Sequence, residues 1–499
     1  MDAALSKIRP HTSSSLPHQK APANLLVALE ATFKEQNAER TPTAYFAGLI
    51  TALESSVRNE AGKYSLGDGD ILPAELYLLA LVAPFVPAPV IRNNLNTLIL
   101  FTSPLWPALQ SHPPPLRSQL SLYNALLRAL DKSHLEVLSV RQSFATILQL
   151  CVDSRPKVRK RAADLVHDVL ASPPTPLMRH PYSEKTGEWV VNALSDINVF
   201  GSSKQKGKKG SEDAIGAAIH LLAFLRLVLQ YLPSSVSSFI LIFHLNANAL
   251  MQCLSAITTS LLTLPRLGNP YLSQSVYSVL SVLLSSPEDP SSPRNVDVST
   301  ADLLKAVLSS PPLKTDNTLL PSWIHIIGKI MLVLKTADSE VCTTELPKVW
   351  KLVFAFLESS DTSTKREATE TLVSLTECLT PQLMQSALHD NDSKSIIMQM
   401  INQLTKALDS LAFVRAIPEL FFVISSLATV MRHRPSGRGT PTVTEKLLTP
   451  MIQKIAEMRV KRSFEYKEAA DGVLRTAMAV IGPQGVLQAL PLNLEPEDR

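Results

Sequence analysis

Apolar residues along this 499-residue chain recur at helical rather than strand spacing. In DSRPKVRKRAADLVHDVL, residues 153–170, the positions Val158, Ala162, Leu165, Val166 and Val169 line up as one stripe of a helix. Asp153 and Ser154 suit the cap of that helix. Pro156 suits its first turn, where a missing N–H costs nothing. Lys157 and Lys160 point away from the stripe, and Arg159 lies at its edge. The same spacing predicts helices over 25–37, 43–59, 73–81, 90–100, 116–130 and 135–152. After residue 170 it predicts them within 214–284 and over 300–309, 321–336, 346–357, 361–375, 381–389, 395–408 and 415–431, with a last pair that includes Tyr466–Met478. The 36 prolines gather between apolar runs, as expected of many short helices joined by turns.

Two helices every 35 to 45 residues is a repeat period in which no single unit buries its apolar face alone. The 153–170 order of Asp, Pro, Val, Arg and Ala, followed by a Leu/Val stripe, resembles the second helix of a HEAT repeat. In such repeats the Arg reaches an Asp of the neighbouring repeat. Asp361–Leu375 echoes the order through a Lys-Arg pair, Ala368, Leu372 and Leu375, and Tyr466–Met478 echoes it through Ala469-Ala470-Asp471. The expected fold is therefore all-α, a HEAT/armadillo-type α-solenoid of stacked helical hairpins, continuous rather than divided into separate domains. Residues 1–22, polar and carrying Pro10 and Pro17, are expected to be a flexible N-terminal tail ahead of repeats over 23–200. GSSKQKGKKGSED, 201–213, lacks any apolar stripe and is expected to be a basic, disordered loop. Repeats resume over 214–499, with a second long loop at 285–299.

Composition narrows the function. Sixteen glycines and 6% aromatics disfavour β-sandwiches and Gly-loop nucleotide folds, and a net charge of +4 leaves room only for local nucleic-acid contact. Cys151, Cys253, Cys342 and Cys378 are widely spaced in apolar stretches, which fits reduced core residues of an intracellular protein rather than a zinc or redox motif. The N-terminus has no signal-peptide core. The most apolar window, Ala214–Leu232, carries His220, Arg226 and Gln230, which fits a buried helix of a soluble protein better than a bilayer span. No nucleophile elbow, P-loop, HExxH or dinucleotide fingerprint is present, so no catalytic, cofactor or metal residue is assigned and an enzyme is not expected. His167 is read as a structural histidine.

Basic clusters remain. Five of the seven residues from Arg155 to Arg161 are Lys or Arg. They are either an inter-repeat ladder with a solvated face or a phosphate-binding ridge, whose candidates are Lys157, Lys160 and Arg161. Lys204, Lys206, Lys208 and Lys209 form a second candidate RNA-binding cluster, with a solubilising linker or nuclear-import patch as the other reading. Arg432, His433, Arg434 and Arg438 are a third, ambiguous cluster. Aromatics do not interleave with any of them in sequence, so base stacking is not indicated.

The C-terminal stretch 464–499 resembles the ribosomal RNA processing protein 12 family. The residues that carry this are the Ala-Ala-Asp helix at 469–471, Val480-Ile481-Gly482-Pro483, and Leu490-Pro491-Leu492-Asn493-Leu494. RPKVRKRAADLVHDVL at 155–170 is a second match, while the first 130 residues match only in repeat texture. The resemblance implies a non-catalytic HEAT-repeat factor of the nucleus and nucleolus, acting on small-subunit precursors in pre-rRNA processing and export of pre-ribosomal particles. Its implied partners are pre-ribosomal particles, rRNA and assembly factors. It also implies karyopherin-like contact with Ran and nucleoporins, and family chains longer than this one. A transport adaptor, or a generic protein-interaction solenoid without RNA contact, are the competing readings.

Overall fold

The computed structural model describes residues 1–59, 64–202, 208–232, 257–258, 260–261, 269–285, 300–389, 395–434 and 441–490, and the regular elements among them are helices. The chain packs into two units, Met1–Ser260 and Leu261–Arg499.

The first unit contains α1 (Asp2–Ile8), α2 (Pro17–Glu35), α3 (Pro42–Asn59), α4 (Ile71–Val82), α5 (Ala88–Asn93), α6 (Leu95–Thr102) and α7 (Leu105–Leu109). It continues through α8 (Pro113–Ala129), α9 (Lys132–Leu135), α10 (Leu138–Leu150), α11 (Pro156–Leu170), α12 (Tyr182–Ser202) and α13 (Lys208–Val228). One row runs α2 on α4, α4 on α8, α8 on α11 and α11 on α13, and α3, α10 and α12 pack against that row as a second layer. The stripe predicted for α11 is the reason: Val158, Ala162, Leu165, Val166 and Val169 are all buried. In α8, Leu116, Leu120, Tyr123 and Leu127 recur at steps of four and three and are buried likewise. Each Val or Leu among them contributes roughly 1.5–3 kcal/mol by leaving water, which no isolated hairpin can collect.

The expected flexible tail is folded. Residues 2–8 are helical and Arg9–Ser13 forms a 3-10 turn, with Leu5 and Ile8 buried. Pro10 and Pro17 occupy first-turn positions, where proline starts helices rather than breaking them. Arg9 then pins the segment: its Nε and Nη2 donate to Oε1 of buried Glu30 at 2.9 and 2.8 Å, and the Tyr45 hydroxyl donates to the same oxygen at 2.8 Å.

The basic segment also departs from expectation. Helix α12 runs to Ser202 and α13 starts at Lys208, so much of 201–213 is helix rather than loop; 203–207 lie outside the described residues. Low-complexity composition, which gave the loop reading, lowers helix propensity without forbidding a helix. Of the predicted 285–299 loop, only Ser285 is described.

The second unit contains α14 (Pro270–Leu284), α15 (Thr300–Leu308), α16 (Leu320–Ala337), α17 (Ser339–Phe354), α18 (Thr362–Glu377) and α19 (Pro381–His389). It ends with α20 (Ile396–Asp409), α21 (Ile417–Val430), α22 (Val443–Val460), α23 (Lys467–Ile481) and α24 (Pro483–Ala489). Its row is α14, α16, α18, α21 and α23, each on the next, with α17 against α20 and α19 against α22. Leu320–Ala337 and Leu411–Val430 are long and apolar enough to cross a membrane. Their place inside this row accounts for their composition, since both flanking helices take an apolar face. Gly482, at φ +100°, ends α23, and Pro483 opens α24.

Polar ties repeat at the same period. Asn124 meets Asp168 at 2.9 Å, His325 meets Glu367 at 2.6 Å and Thr376 meets Ser426 at 2.9 Å, pairs 44, 42 and 50 positions apart. Cys151, Cys342 and Cys378 are buried thiols, and the last two share the Met331 carbonyl at 3.8 Å. Cys253 lies outside the described residues.

Candidate nucleic-acid interface

The start of α11 sorts its five cations into two kinds. Asp153 does not cap the helix as expected; the N-cap residue is Arg155, which makes no side-chain cap. Asp153 instead accepts the Arg155 backbone N–H at 2.8 Å and grips its guanidinium at 2.9 and 2.7 Å. That pairing with Arg155 holds the Asp153 carboxyl below its ordinary range. Arg155 also reaches back to the Gln110 carbonyl, and Arg159 donates to the Asp153 carbonyl at 2.6 Å. The inter-repeat reach expected of Arg159 is therefore made by Arg155, because Arg159 is spent closing its own helix start. Arg161 crosses to α8, where its Nε meets Ser121 Oγ at 2.8 Å. Lys157 and Lys160 are exposed and make no hydrogen bond or ion pair among the described residues.

These three side chains share one wall of a groove of about 1360 Å³ in the first unit. Its other walls come from α1, the start of α2, the 66–70 loop, α4 and the start of α8. The loop closes on α2 so tightly that a Cβ on Gly69, at φ +97°, would lie 2.8 Å from Pro17 Cβ. Lys7, Arg117, Lys157, Lys160 and Arg161 face the groove against Asp68, Asp70 and Asp164, so it is net cationic. Asp70 is already engaged by the Ser65 hydroxyl at 2.8 Å. His11, His18, His112 and Tyr77 also line it, over Ala, Pro and Leu side chains. Sequence reading, which found no aromatic interleaved with the basic run, missed Tyr77. It sits on α4, two steps along the row from α11, and only stacking brings it there.

Among the described residues, no other sequence candidate lines this groove. Lys204 and Lys206 lie outside the described residues, and Lys208 and Lys209 open α13, which packs on α11. Arg432, His433 and Arg434 form the turn after α21 in the second unit, and Arg438 lies outside the described residues. His167 is a tie, with Nδ1 3.2 Å from Asp168 and Nε2 3.3 Å from the Tyr231 hydroxyl.

One arrangement has the look of a relay. Ser281 Oγ is 3.0 Å from His325 Nε2, and His325 Nδ1 is 2.6 Å from Glu367 Oε1, across α14, α16 and α18. Ser281 lies inside a helix, where neighbouring N–H groups are committed to carbonyls four residues back and none is free to hold an oxyanion. Its geometry ties three successive repeats instead. No group of three metal-ligating side chains occurs among the described residues.

Stacked helical hairpins tied at one-repeat spacing, with a cationic groove on one row, define an α-helical HEAT-repeat protein. The family described as "RRP12-like, N-terminal HEAT repeats" matches residues 8–291, and "Ribosomal RNA-processing protein 12, HEAT repeats" matches residues 358–499. The chain belongs to this ribosomal RNA-processing protein 12 family, and the match takes in the first 130 residues from residue 8 onward, where sequence reading found only texture. Ribosomal RNA-processing protein 12 of Saccharomyces cerevisiae is 22% identical over 99% of this chain and 40% of its own length. The putative ribosomal RNA-processing protein 12 of Schizosaccharomyces pombe is 24% identical over 95% and 37%, and the RRP12-like protein of Homo sapiens 22% over 99% and 35%. The chain thus spans well under half the length of these relatives. Among solved structures, the Kap95:Nup1 complex is similar at 14% identity and a TM-score of 0.46, over 99% of this chain and 58% of that one.

Proposed function

We propose that this chain is a non-catalytic scaffold of ribosome biogenesis that holds pre-ribosomal RNA by its phosphate backbone and assembly factors by its helix faces. The family membership supports the first part, since relatives carry ribosomal RNA processing in their names. The observation that carries the RNA contact is the pair Lys157 and Lys160, exposed and unengaged on the wall of a cationic groove. Unpaired ammonium groups break no existing contact when they meet a phosphate, whereas Arg155 and Arg159 would first have to leave their partners. Arg161 contributes from the same wall while keeping Ser121, and Lys204, Lys206, Lys208 and Lys209 are a separate, second candidate for RNA contact. The finer assignment is small-subunit pre-rRNA processing and export of pre-ribosomal particles, from a nucleolar and nuclear location.

The test is RNA affinity against salt. Each lysine that neutralises a phosphate adds roughly 0.7–0.9 to the log–log slope, so Lys157→Ala with Lys160→Ala should flatten it by about 1.5. An unchanged slope with intact binding would move the RNA contact elsewhere. A transport adaptor would instead bind partners in a manner that depends on the GTP form of Ran.

A further inference from the structure

We infer that the groove of the first unit is a site for one unpaired RNA strand, with bases laid on its apolar floor and phosphates on the α11 wall. This rests on the RNA-contact reading above and adds to it the form of RNA and the residue that selects it. At about 1360 Å³ the groove exceeds the roughly 300–1,000 Å³ of small-molecule sites and has room for a segment of a polymer. Its surfaces differ in kind. Lys157 and Lys160 stand exposed on one wall, while Tyr77, Pro73 and Pro114 line the groove from α4 and α8. A duplex turns its phosphates outward and hides its base faces, so it would meet the lysines and leave the floor wet. An unpaired strand matches both surfaces at once: every base has a π-face to lay on an aromatic ring, whatever the sequence.

Tyr77 is the distinguishing residue. Its neighbours Leu76, Leu78 and Leu79 are buried, yet its own side chain stays 41% exposed and turned into the groove. An aromatic ring held out of the core by its own helix, beside unengaged cations, is the pairing used by sequence-tolerant single-strand sites. Asp164, one turn beyond Lys160, repels phosphate and confines the backbone to the Lys157–Lys160 end. An acidic peptide would match the two lysines equally well and draw nothing from the ring.

Fluorescence anisotropy on the full chain settles this, using a labelled, unstructured RNA of roughly 12 nucleotides, within the span of single-strand grooves, alone and annealed to its complement. The unpaired strand should bind at least about tenfold tighter than the duplex, the equivalent of one stacked base. Tyr77→Ala should remove roughly tenfold from the unpaired strand only, and Tyr77→Phe should restore it. Tyr77→Leu, which keeps apolar bulk without the ring, should behave as Tyr77→Ala, and thermal melting identifies a variant that has failed to fold. Equal affinity for both forms, with Tyr77→Ala silent, overturns the single-strand site; if Lys157→Ala and Lys160→Ala still weaken both forms, the RNA-contact reading stands. Full displacement of the strand by polyglutamate at equal charge, with Tyr77→Ala silent, overturns it in favour of an acidic peptide. Absence of binding by either form at low salt removes the RNA-contact reading itself.

Discussion

His180 shows what burial does to a single side chain. It is 3% exposed in the turn before α12, and its Nδ1 accepts the Tyr182 N–H at 3.1 Å. Burial pushes its pKa down to about 4. Below pH 6.5 the unfolded chain takes up a proton that the folded chain refuses, so the stability this group provides is complete above about 6.5 and drains away towards pH 4. Urea unfolding followed from pH 7 to pH 4.5 should show a loss on the order of 2 kcal/mol that His180→Gln abolishes. Asp153, held low by Arg155, acts in a more acidic window, so the two effects separate. The same scale explains why five basic residues at 155–161 do not behave alike. Charge was legible in the sequence; which charges were already spent was not, because it depends on how Asp153 folds back on Arg155 and Arg159 and on Gln110 and Ser121, a repeat away.

Helix α11 holds its place through a stripe and through what presses on that stripe. Leu165→Ala, at a fully buried position between α8 and neighbouring helices, should cost about 2–5 kcal/mol in denaturant unfolding. Lys157→Ala and Lys160→Ala on the opposite face should stay within about 0.5 kcal/mol. At the N-terminus, burial alone would raise the Glu30 pKa, but the bonds from Arg9 and Tyr45 hold it low. Arg9→Ala should therefore cost about 1–3 kcal/mol, moderated by Arg40 at 3.5 Å, and Glu30→Gln in the same chain should recover part of it. Limited proteolysis of that variant should cut first between α1 and α2. Prolines misdirected the reading of this element: Pro10 and Pro17 mark breaks in sequence, but in first turns they begin helices.

Nearest-neighbour packing sets the behaviour of the whole molecule. In a repeat array each helix pair is stabilised by the next, so stability is a sum over interfaces rather than the property of one core. Each unit holds an internal row of such interfaces, α2 to α13 in one and α14 to α23 in the other. Fragments 1–260 and 261–499, expressed separately, should each keep a cooperative helical melt, and their far-UV circular dichroism should add to that of the full chain. A fragment without a cooperative transition would show that its row depends on the other unit.

The sequence by itself determined the helices, their repeat period and the buried face of α11, because these rest on spacing within one segment and on the water-driven burial of that face. It also carried the family, through the Ala469-Ala470-Asp471 helix and the Gly482-Pro483 turn. Tertiary structure alone decided that Arg155 rather than Arg159 reaches the preceding repeat, that residues 2–13 fold onto Glu30, and that Tyr77 stands in the same groove as Lys157 and Lys160. Each of these depends on which side chains meet across stacked helices. One-dimensional periodicity says which face of a helix is covered, but the residue that covers it comes from a helix a full repeat away.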